Sequence, residues 1–226
     1  MKPDLLRIPF AWEERHVLIK DKMLFVPPQC SESKQFNFPA WTDPQLFGNE
    51  KPVQIEYCSG TGKWIAEKAA ANPHINWVAV EKKFDRARKI WSKISRLQLN
   101  NLFVIWGEGH FVTEHYFTPG SLSAAYINFP DPWPKTRHAK NRLINPPFVQ
   151  QICRCLKNES SLTFVTDDAP YSDWFINVAG KEPLLRSQHP LPFYTLEYPG
   201  YGSSYFEQLW KEQGRSIRYH QFQKQE

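Results

Sequence analysis

A carboxylate, an indole and several cations follow one another directly after a short apolar segment. The segment 124–129 is succeeded by Pro130-Asp131-Pro132-Trp133-Pro134-Lys135. Proline fixes φ and lacks an N–H, so the chain cannot continue here as a central strand. We interpret the stretch as a buried strand that ends in a rigid loop. A carboxylate can bind a base edge, an indole can stack on a base, and cations can hold phosphates. A stiff surface turn with solvated charges is the structural alternative.

Positive charge is concentrated just beyond this loop. The chain as a whole has 28 Lys and Arg against 23 Asp and Glu, a net charge of +5, which is compatible with nucleic-acid binding without indicating it. Between residues 135 and 142, however, there are four Lys and Arg residues, one histidine and no acid. We predict that this cluster contacts RNA phosphates, which gives affinity without reading sequence. Its cations are Lys135, Arg137, Lys140 and Arg142.

The elements that must position these residues alternate between strand and helix. The hydrophobic pattern predicts strands over 53–58, 75–81, 102–106, 122–129 and 161–167, and helices over 63–71, 84–97 and 147–156. Such alternation predicts an α/β fold, a mostly parallel sheet with helices on both faces. The run 215–224 is predicted to be an edge strand, which either extends an RNA-binding surface or only closes the sheet.

Composition limits the class of protein. Hydrophobic residues make up 41% and aromatic residues 15% of the 226 residues, as in a globular protein. Residues 1–50 are rich in proline and aromatics without periodicity, so we predict an N-terminal extension packed on or near the core, or a lid or substrate arm. Residues 51–226 are predicted to be a single domain.

No signal-like or membrane-spanning run is present, which favours the cytoplasm. The four cysteines lack zinc-type spacing, so we expect reduced thiols and no metal.

Five acids stand at or just past the ends of the predicted strands. In open sheets of this kind, ligands bind beyond the carboxyl ends of the strands, and five acids there are expected to share one rim. A single strand-end acid is more often a helix cap or a solvated residue. The five are Glu56, Glu81, Glu108, Asp131 and Asp167.

The turn Ser59-Gly60-Thr61-Gly62, between a predicted strand and a helix, suits a nucleotide-type ligand because glycine lets the backbone approach closely. It is neither a dinucleotide fingerprint nor a P-loop. Glu81 stands where a carboxylate can accept hydrogen bonds from a ribose diol, and Glu108 can meet an adenine edge. These features fit an adenosine ligand without a polyphosphate, such as S-adenosylmethionine.

Several motifs together resemble one known family. Ile55-Glu56-x-x-x-Gly60-x-Gly62, Glu81, the block from Asn128 to Arg142 and Thr166-Asp167-Asp168 are similar to motifs of the bacterial tRNA (guanine-N7)-methyltransferases. Ser204-Tyr205-Phe206-Glu207 resembles that family's Thr-x-x-Glu segment. The resemblance runs from about residue 47 to about residue 218. The Asn-Phe-Pro-Asp-Pro-Trp-Pro-Lys block is highly specific, whereas the glycine turn is generic to class I methyltransferases.

The resemblance implies a Rossmann-like class I methyltransferase fold with a mostly parallel seven-stranded sheet. It implies methyl transfer from S-adenosylmethionine to N7 of the variable-loop guanine of tRNA, with S-adenosylhomocysteine as the product. It implies a cofactor site that includes Glu56, Gly60, Gly62, Glu81, Glu108 and Asp131, with Asp131 also the candidate catalytic residue. It implies substrate contacts from Lys135, Asp167, Ser204, Tyr205, Phe206 and Glu207.

The chain departs from the family pattern at three positions. Cys58 stands in place of a glycine, where a Cβ can crowd the cofactor or forbid a positive φ. Glu108 stands in place of Asp or Asn, and Ser204 in place of threonine. Two alternatives therefore stay open: a class I methyltransferase with another substrate, and a non-catalytic RNA-binding protein that retains the fold. The sequence does not distinguish a monomer from a homodimer.

Overall fold

The computed structural model describes residues 2–226, which cluster into two compact units, one up to Tyr116 and one from Phe117. These units are clusters of contacts and do not by themselves define folding domains. The predicted division into an extension over 1–50 and a single domain over 51–226 therefore stays a prediction.

The first unit is built on parallel strands connected by helices. Its strand order is β1-β2-β5-β4-β3, in which β2, β5, β4 and β3 are parallel and β1 is antiparallel to β2. The strands are β1 Leu18–Lys20, β2 Met23–Phe25, β3 Val53–Tyr57, β4 Asn76–Glu81 and β5 Leu102–Trp106. The helices are α1 Lys63–Ala71, α2 Phe84–Leu97 and α3 Gly109–Tyr116.

Burial explains why these segments form these elements. Every residue of β4 and β5 is buried, as expected for strands covered on both faces. Helix α2 buries Ala87, Ile90, Trp91 and Ile94, which recur at three- and four-residue steps. The predicted bounds of α1, α2 and β5 are confirmed.

The N-terminal fifty residues contribute two strands that the sequence pattern did not predict. Strand β2 is fully buried and pairs with β5. Directly after β2, the N–H of Val26 donates to the carbonyl of Trp106, the last residue of β5. A strand of three residues is too short to show the alternation on which the prediction depends. The hairpin of β1 and β2 is therefore identified only from the strand pairing in the structure.

The second unit combines one parallel and two antiparallel pairings. Its strand order is β6-β7-β9-β8, with β6 parallel to β7 and β9 antiparallel to both β7 and β8. The strands are β6 Leu122–Asn128, β7 Leu156–Thr166, β8 Leu185–Ser187 and β9 Arg218–Lys224. The helices are α4 Pro146–Cys155, α5 Ala169–Ala179 and α6 Tyr205–Glu212.

The structure corrects two predictions about strands. The C-terminal strand β9 is not an edge strand, because β8 pairs with its outer side. The described residues contain nine strands rather than seven: seven from Val53 onward, plus the hairpin of β1 and β2. The α/β class with a mostly parallel arrangement is confirmed.

None of the helices in residues 2–226 is long and apolar enough to cross a membrane.

Candidate functional site

Three of the predicted acids lie at the carboxyl ends of the parallel strands of the first unit. Glu56 is the penultimate residue of β3, Glu81 is the last residue of β4, and Glu108 comes two residues after β5. Because β3, β4 and β5 are parallel, their carboxyl ends lie along one edge of the sheet. Glu56 and Glu81 are buried, with 2% and 4% of their surface exposed, whereas Glu108 is exposed.

The Glu81 carboxylate organises the turn that follows β3. Its Oε2 accepts a hydrogen bond from Gly60 N–H at 2.9 Å, and its Oε1 accepts one from Lys83 N–H at 2.9 Å. Burial raises the pKa of Glu81, and these backbone amides together with the charges of Arg86 and Lys83 act in the opposite direction. Each carboxylate oxygen can accept a second bond, so a diol can still be bound.

The two glycines of the turn serve different purposes. A Cβ at Gly60, where φ is +55°, would meet only the Cys58 carbonyl oxygen at 3.9 Å, so the space in front of it is open to a ligand. A Cβ at Gly62, where φ is +71°, would lie 2.8 Å from Cγ1 of Ile90 on α2. Gly60 therefore leaves room for a ligand, whereas Gly62 lets α2 pack against the turn.

Cys58 adopts a backbone conformation that is rare for a residue with a side chain. Its φ is +60°, in the left-handed region that favours glycine. A non-glycine residue held there stores of order 1–2 kcal/mol of backbone strain. The Cβ therefore does not prevent the positive φ, although it makes that conformation costly.

Glu108 already has a structural contact. Its Oε2 accepts a hydrogen bond from Phe111 N–H at 3.1 Å, in the first turn of α3. Side chains that satisfy the free amides of a first turn stabilise helices. Contact with an adenine edge stays a prediction for this residue. Taken together, an open glycine, a buried carboxylate and an exposed one along one sheet edge fit an adenosine-type cofactor.

The loop after β6 carries Asp131 between two strained residues of the second unit. Phe129 and Trp133 have φ of +47° and +45°, which is rare for aromatic side chains. The Asp131 side chain is exposed, and within residues 2–226 it takes part in no ion pair within 4 Å. Strained backbone persists where surrounding contacts hold it, and it concentrates at functional loops.

Arg142 supplies such contacts. Its Nε donates to the carbonyl oxygen of Pro132 at 2.8 Å, and its Nη2 donates to that of Trp133 at 3.4 Å. Its guanidinium carbon lies 5.5 Å from the ring centroid of Tyr171 and 5.7 Å from that of Trp174, both on α5. Arg142 thus fastens the Asp131 loop to α5. A phosphate contact from the same group stays a prediction.

The other cations of the loop cluster point to solvent. Lys135, Arg137 and Lys140 are exposed, and none has an ion-pair partner among residues 2–226. The segment 136–141 forms a 3-10 helix, begun by a hydrogen bond from His138 N–H to the Lys135 carbonyl at 2.8 Å. Arg137 and Lys140 therefore lie within this 3-10 helix, and Lys135 directly precedes it.

Asp167 and Arg215 form an ion pair that the sequence did not predict. Asp167 follows β7 directly, and its Oδ2 lies 2.5 Å from Nη1 of Arg215. The Arg215 guanidinium also lies 4.1 Å from the ring centroid of Trp210 on α6, a cation–π contact. The two residues are far apart in the sequence, so only the fold brings them together. A substrate group that binds Asp167 must share it with Arg215.

The segment 204–207 forms the start of α6. Ser204 Oγ accepts from Glu207 N–H at 3.0 Å, and Glu207 Oε2 accepts from Ser204 N–H at 3.2 Å, a capping box. Glu207 is buried and also contacts Lys211 and Tyr219, whereas Tyr205 is 58% exposed. The polar members of the segment are thus used to begin the helix, and the exposed aromatic ring of Tyr205 is available to a base.

The neighbouring Phe206 packs between other aromatic rings. Its ring centroid lies 6.2 Å from that of Phe129, the first strained residue of the Asp131 loop, and 6.4 Å from that of Trp210. These contacts connect the start of α6 with the loop that carries Asp131. Phe206 can therefore influence a substrate through the loop, and its direct substrate contact stays a prediction.

A cavity of about 650 Å³ lies in the first unit away from the strand-end acids. It is lined by the N-terminal segment, the turn between β1 and β2, and the C-terminal half of α2. None of the residues predicted from the sequence to bind cofactor or substrate lines it.

Comparison with known proteins agrees with this geometry. A family model described as "Putative methyltransferase" matches residues 50–219. The tRNA (guanine-N(7)-)-methyltransferase of Chlamydia caviae is 41% identical over 224 residues, 99% of this chain and 98% of the relative. That of Chlamydia muridarum is 43% identical over 220 residues, 96% of this chain and 95% of the relative.

Solved structures show the same fold. The 16S rRNA methyltransferase KamB matches with a TM-score of 0.61 at 15% identity, covering 84% of this chain and 96% of that one. SMU.1697c, a putative methyltransferase from Streptococcus mutans in complex with S-adenosylhomocysteine (SAH), matches with a TM-score of 0.51 at 11% identity, covering 78% and 90%. With a class I fold, the strand-end acids and near-full-length relatives of one kind, the chain belongs to the S-adenosylmethionine-dependent tRNA (guanine-N7)-methyltransferase family.

Proposed function

We propose that the protein transfers the methyl group of S-adenosylmethionine to N7 of the variable-loop guanine of tRNA. The observation that carries the proposal is the Asp131 loop. An exposed carboxylate without an ion-pair partner among the described residues lies on a strained loop fastened by Arg142, and three exposed cations follow it. A tRNA substrate makes the cytoplasm the expected compartment.

The first unit supplies the proposed cofactor contacts. Glu81 is assigned to the ribose hydroxyls, Gly60 to close approach of the backbone, and Glu56 and Glu108 to the remaining polar groups of the cofactor. Their fit rests on the open space at Gly60 and on acceptor oxygens along one sheet edge. S-adenosylmethionine supplies an electrophilic methyl group on a sulfonium.

The second unit supplies the proposed guanine contacts. Guanine N7 carries an in-plane lone pair and no proton, so the reaction needs no strong base at that atom. It needs alignment, which can lower a barrier by several kcal/mol. The purine becomes cationic as its N7 gains the methyl group, and the carboxylate of Asp131 can hold its N1/N2 edge and stabilise that charge. Asp167 can share this role when Arg215 releases it.

Replacement of Asp131 by asparagine tests the catalytic assignment. Asp131→Asn keeps the shape of the side chain and removes its charge, so single-turnover methyl transfer should fall by about 10²-fold or more. The affinity for tRNA should stay within a few-fold, because the neighbouring cations supply most of it. Asp173→Asn, an exposed acid on α5, is the matched control and should methylate as the wild type does. Undiminished single-turnover methylation by Asp131→Asn would remove Asp131 from the reaction.

The two alternatives predict different results when the change in Tm with S-adenosylmethionine is measured together with binding and methylation of tRNA. A non-catalytic RNA-binding protein would bind tRNA without a rise in Tm on addition of S-adenosylmethionine, since a ligand of the native state raises Tm by mass action. A methyltransferase with another substrate would show that rise and leave tRNA unmethylated. Cys58, the one residue of the sequence that favours a lost cofactor site, has a positive φ, so its Cβ does not prevent that conformation.

A further inference from the structure

A second concentration of positive charge lies in the first unit, outside the residues assigned to the reaction. The segment from Lys82 to Arg96 contains seven Lys and Arg and one acid, a net charge of +6. The whole chain carries +5, so the remaining 211 residues sum to −1. Most of this segment is helix α2. Its cations are Lys82, Lys83, Arg86, Arg88, Lys89, Lys93 and Arg96.

Four of these cations form a continuous stripe along α2. Arg86, Lys89, Lys93 and Arg96 stand at positions i, i+3, i+7 and i+10, so at about 100° per residue they fall within an arc of roughly 80°. The stripe is about 15 Å long at 1.5 Å per residue. Lys89 and Arg96 are exposed, and the other two are half-buried. The buried apolar residues of α2 occupy a different face.

The stripe has little charge compensation of its own. Within residues 2–226, none of its members takes part in an ion pair within 4 Å. The Lys93 ammonium donates to the Thr61 carbonyl at 2.8 Å, and the charge of Arg86 acts on the carboxylate of Glu81, whose pKa it lowers. By contrast Arg88, on another side of the same helix, pairs with Asp4 at 3.2 Å and with Asp85 at 3.0 Å.

Such an arrangement destabilises the free helix. Like charges three or four residues apart repel each other on a helix, and the stripe contains three such pairs in succession. The pKa of Lys93 is lowered by burial, and then by the charges of Arg96 and Lys89. A polyanion bound along the stripe would remove this repulsion.

We propose that the α2 stripe, Arg86, Lys89, Lys93 and Arg96, is a second phosphate-binding surface for tRNA, in addition to the cations at 135–142. The inference rests on the proposed function, because it takes tRNA as the bound polyanion. A stripe of about 15 Å matches the rise of about four nucleotides, at roughly 3.4 Å per phosphate of a duplex strand. It gives affinity and orientation without reading sequence.

An anionic membrane is a poorer partner for this helix. Interfacial helices insert an apolar face between lipids. In α2 the apolar residues at the centre of the helix, Ala87, Ile90, Trp91 and Ile94, are buried within the unit, and Leu97 at its C-terminal end is 47% exposed. A stripe of cations without an exposed apolar face suits RNA phosphates better.

The test compares two double variants that remove the same charge. Lys89→Gln with Arg96→Gln neutralises the two exposed members of the stripe. Lys157→Gln with Lys181→Gln neutralises two exposed lysines of the second unit that have no assigned role. Binding of unmodified tRNA is measured against salt concentration for the wild type and both variants, together with the KM and kcat of tRNA methylation by all three proteins.

The slope of log K against log salt is negative, and in the stripe variant its magnitude should decrease by about 1.4–1.8. This is about 0.7–0.9 for each lost phosphate contact. Its KM for tRNA should rise about tenfold at low salt, whereas the control variant should match the wild type in slope, KM and kcat. Equal slopes for the two variants would overturn the inference. Stripe-dependent binding to phosphatidylserine vesicles, with an unchanged slope for tRNA, would also overturn it.

The outcomes separate this inference from the proposed function. If the stripe variant has a shallower salt slope than the wild type, but the wild type forms no 7-methylguanosine, the surface is supported and the proposed reaction is contradicted. If the wild type methylates tRNA, but the stripe variant has the same salt slope of tRNA binding as the wild type, the reaction is supported and the surface is contradicted. Lys89→Glu, which reverses one exposed charge, should lower the slope further than neutralisation of Lys89 alone and provides an independent variant.

Discussion

At the scale of single residues, Arg142 shows that a cation of the predicted phosphate-binding cluster can also hold its own loop in place. The sequence places it in a run of cations, which predicts a phosphate contact. In the structure its guanidinium binds the carbonyls of Pro132 and Trp133 and lies against the aromatic rings of α5. A guanidinium is planar and has a fixed fork of donors, so it can hold two carbonyls in a set geometry beside the rings, whereas an ammonium is a point charge on a flexible stem. We therefore expect Arg142 to position the loop of Asp131.

The variant Arg142→Lys separates the two roles, because it keeps the charge and loses the fork. If Arg142 positions the loop, kcat should fall by about 10–100-fold, since small misplacements cost that much. The salt slope of tRNA binding should then stay as in the wild type. Lys140→Gln is the comparison: as an exposed phosphate contact it should lower the slope by about 0.7–0.9. A normal kcat in Arg142→Lys, with weaker binding, would instead support a phosphate contact.

The same residue marks the limit of what sequence can predict at this scale. Asp131, Glu81 and Gly60 could be singled out because their residue types follow predicted strand ends. The clamp of Arg142 and the pair of Asp167 with Arg215 could not, because each joins segments that only the fold brings together. Ser204 and Glu207 were assigned to substrate from a motif, and the structure shows in addition that they cap α6.

At the scale of elements, the turn between β3 and α1 links the cofactor assignment to packing. Gly60 and Gly62 both have positive φ, but only Gly62 faces a close neighbour, Ile90 of α2. The helices α1 and α2 were predictable because nine and fourteen residues give enough turns to show a periodic face. The hairpin of β1 and β2 was not, because each strand has three residues.

The variants Gly60→Ala and Gly62→Ala form a matched pair, since both place a Cβ on a left-handed backbone. That strain costs about 1–2 kcal/mol in each. Gly62→Ala should lose about 1–3 kcal/mol more, because its Cβ would lie 2.8 Å from Ile90. Gly60→Ala should weaken binding of S-adenosylmethionine more than Gly62→Ala does, because its Cβ would enter the open space. Urea unfolding and calorimetric titration measure the two effects. Equal losses of stability would contradict the packing role of Gly62.

At the scale of the whole molecule, stability should depend on one buried histidine of β9. His220 is fully buried; its Nδ1 lies 3.1 Å from the Phe193 carbonyl oxygen and its Nε2 lies 3.0 Å from Ser172 Oγ. A neutral ring that donates from Nδ1 and accepts at Nε2 satisfies both contacts. Burial, the largest cause, lowers the pKa of His220 to about 4.

The free energy of unfolding should therefore fall as the pH is lowered from about 6.5 to about 4. In that range the unfolded chain binds a proton at this histidine and the folded chain does not, so stability rises with pH. The contribution is fully present above pH 6.5 and amounts to about 3 kcal/mol. Urea unfolding at several pH values measures it, with His220→Gln as the comparison. A variant that retains the wild-type dependence on pH would rule out His220 as its source.

The fold class follows from the alternation of strands and helices, and the family from the Asn-Phe-Pro-Asp-Pro-Trp-Pro-Lys block. The grouping of contacts into two units concerns the arrangement of many residues in space, which a periodic pattern does not contain.

The most direct measurement is transfer of a labelled methyl group from S-adenosylmethionine to unmodified tRNA, followed by nucleoside analysis. A second tRNA, with the variable-loop guanine replaced by adenine, serves as the control substrate. The account predicts 7-methylguanosine in the first tRNA and none in the second. Methylation of the second tRNA, a different methylated nucleoside, or tRNA binding without any transfer would contradict it.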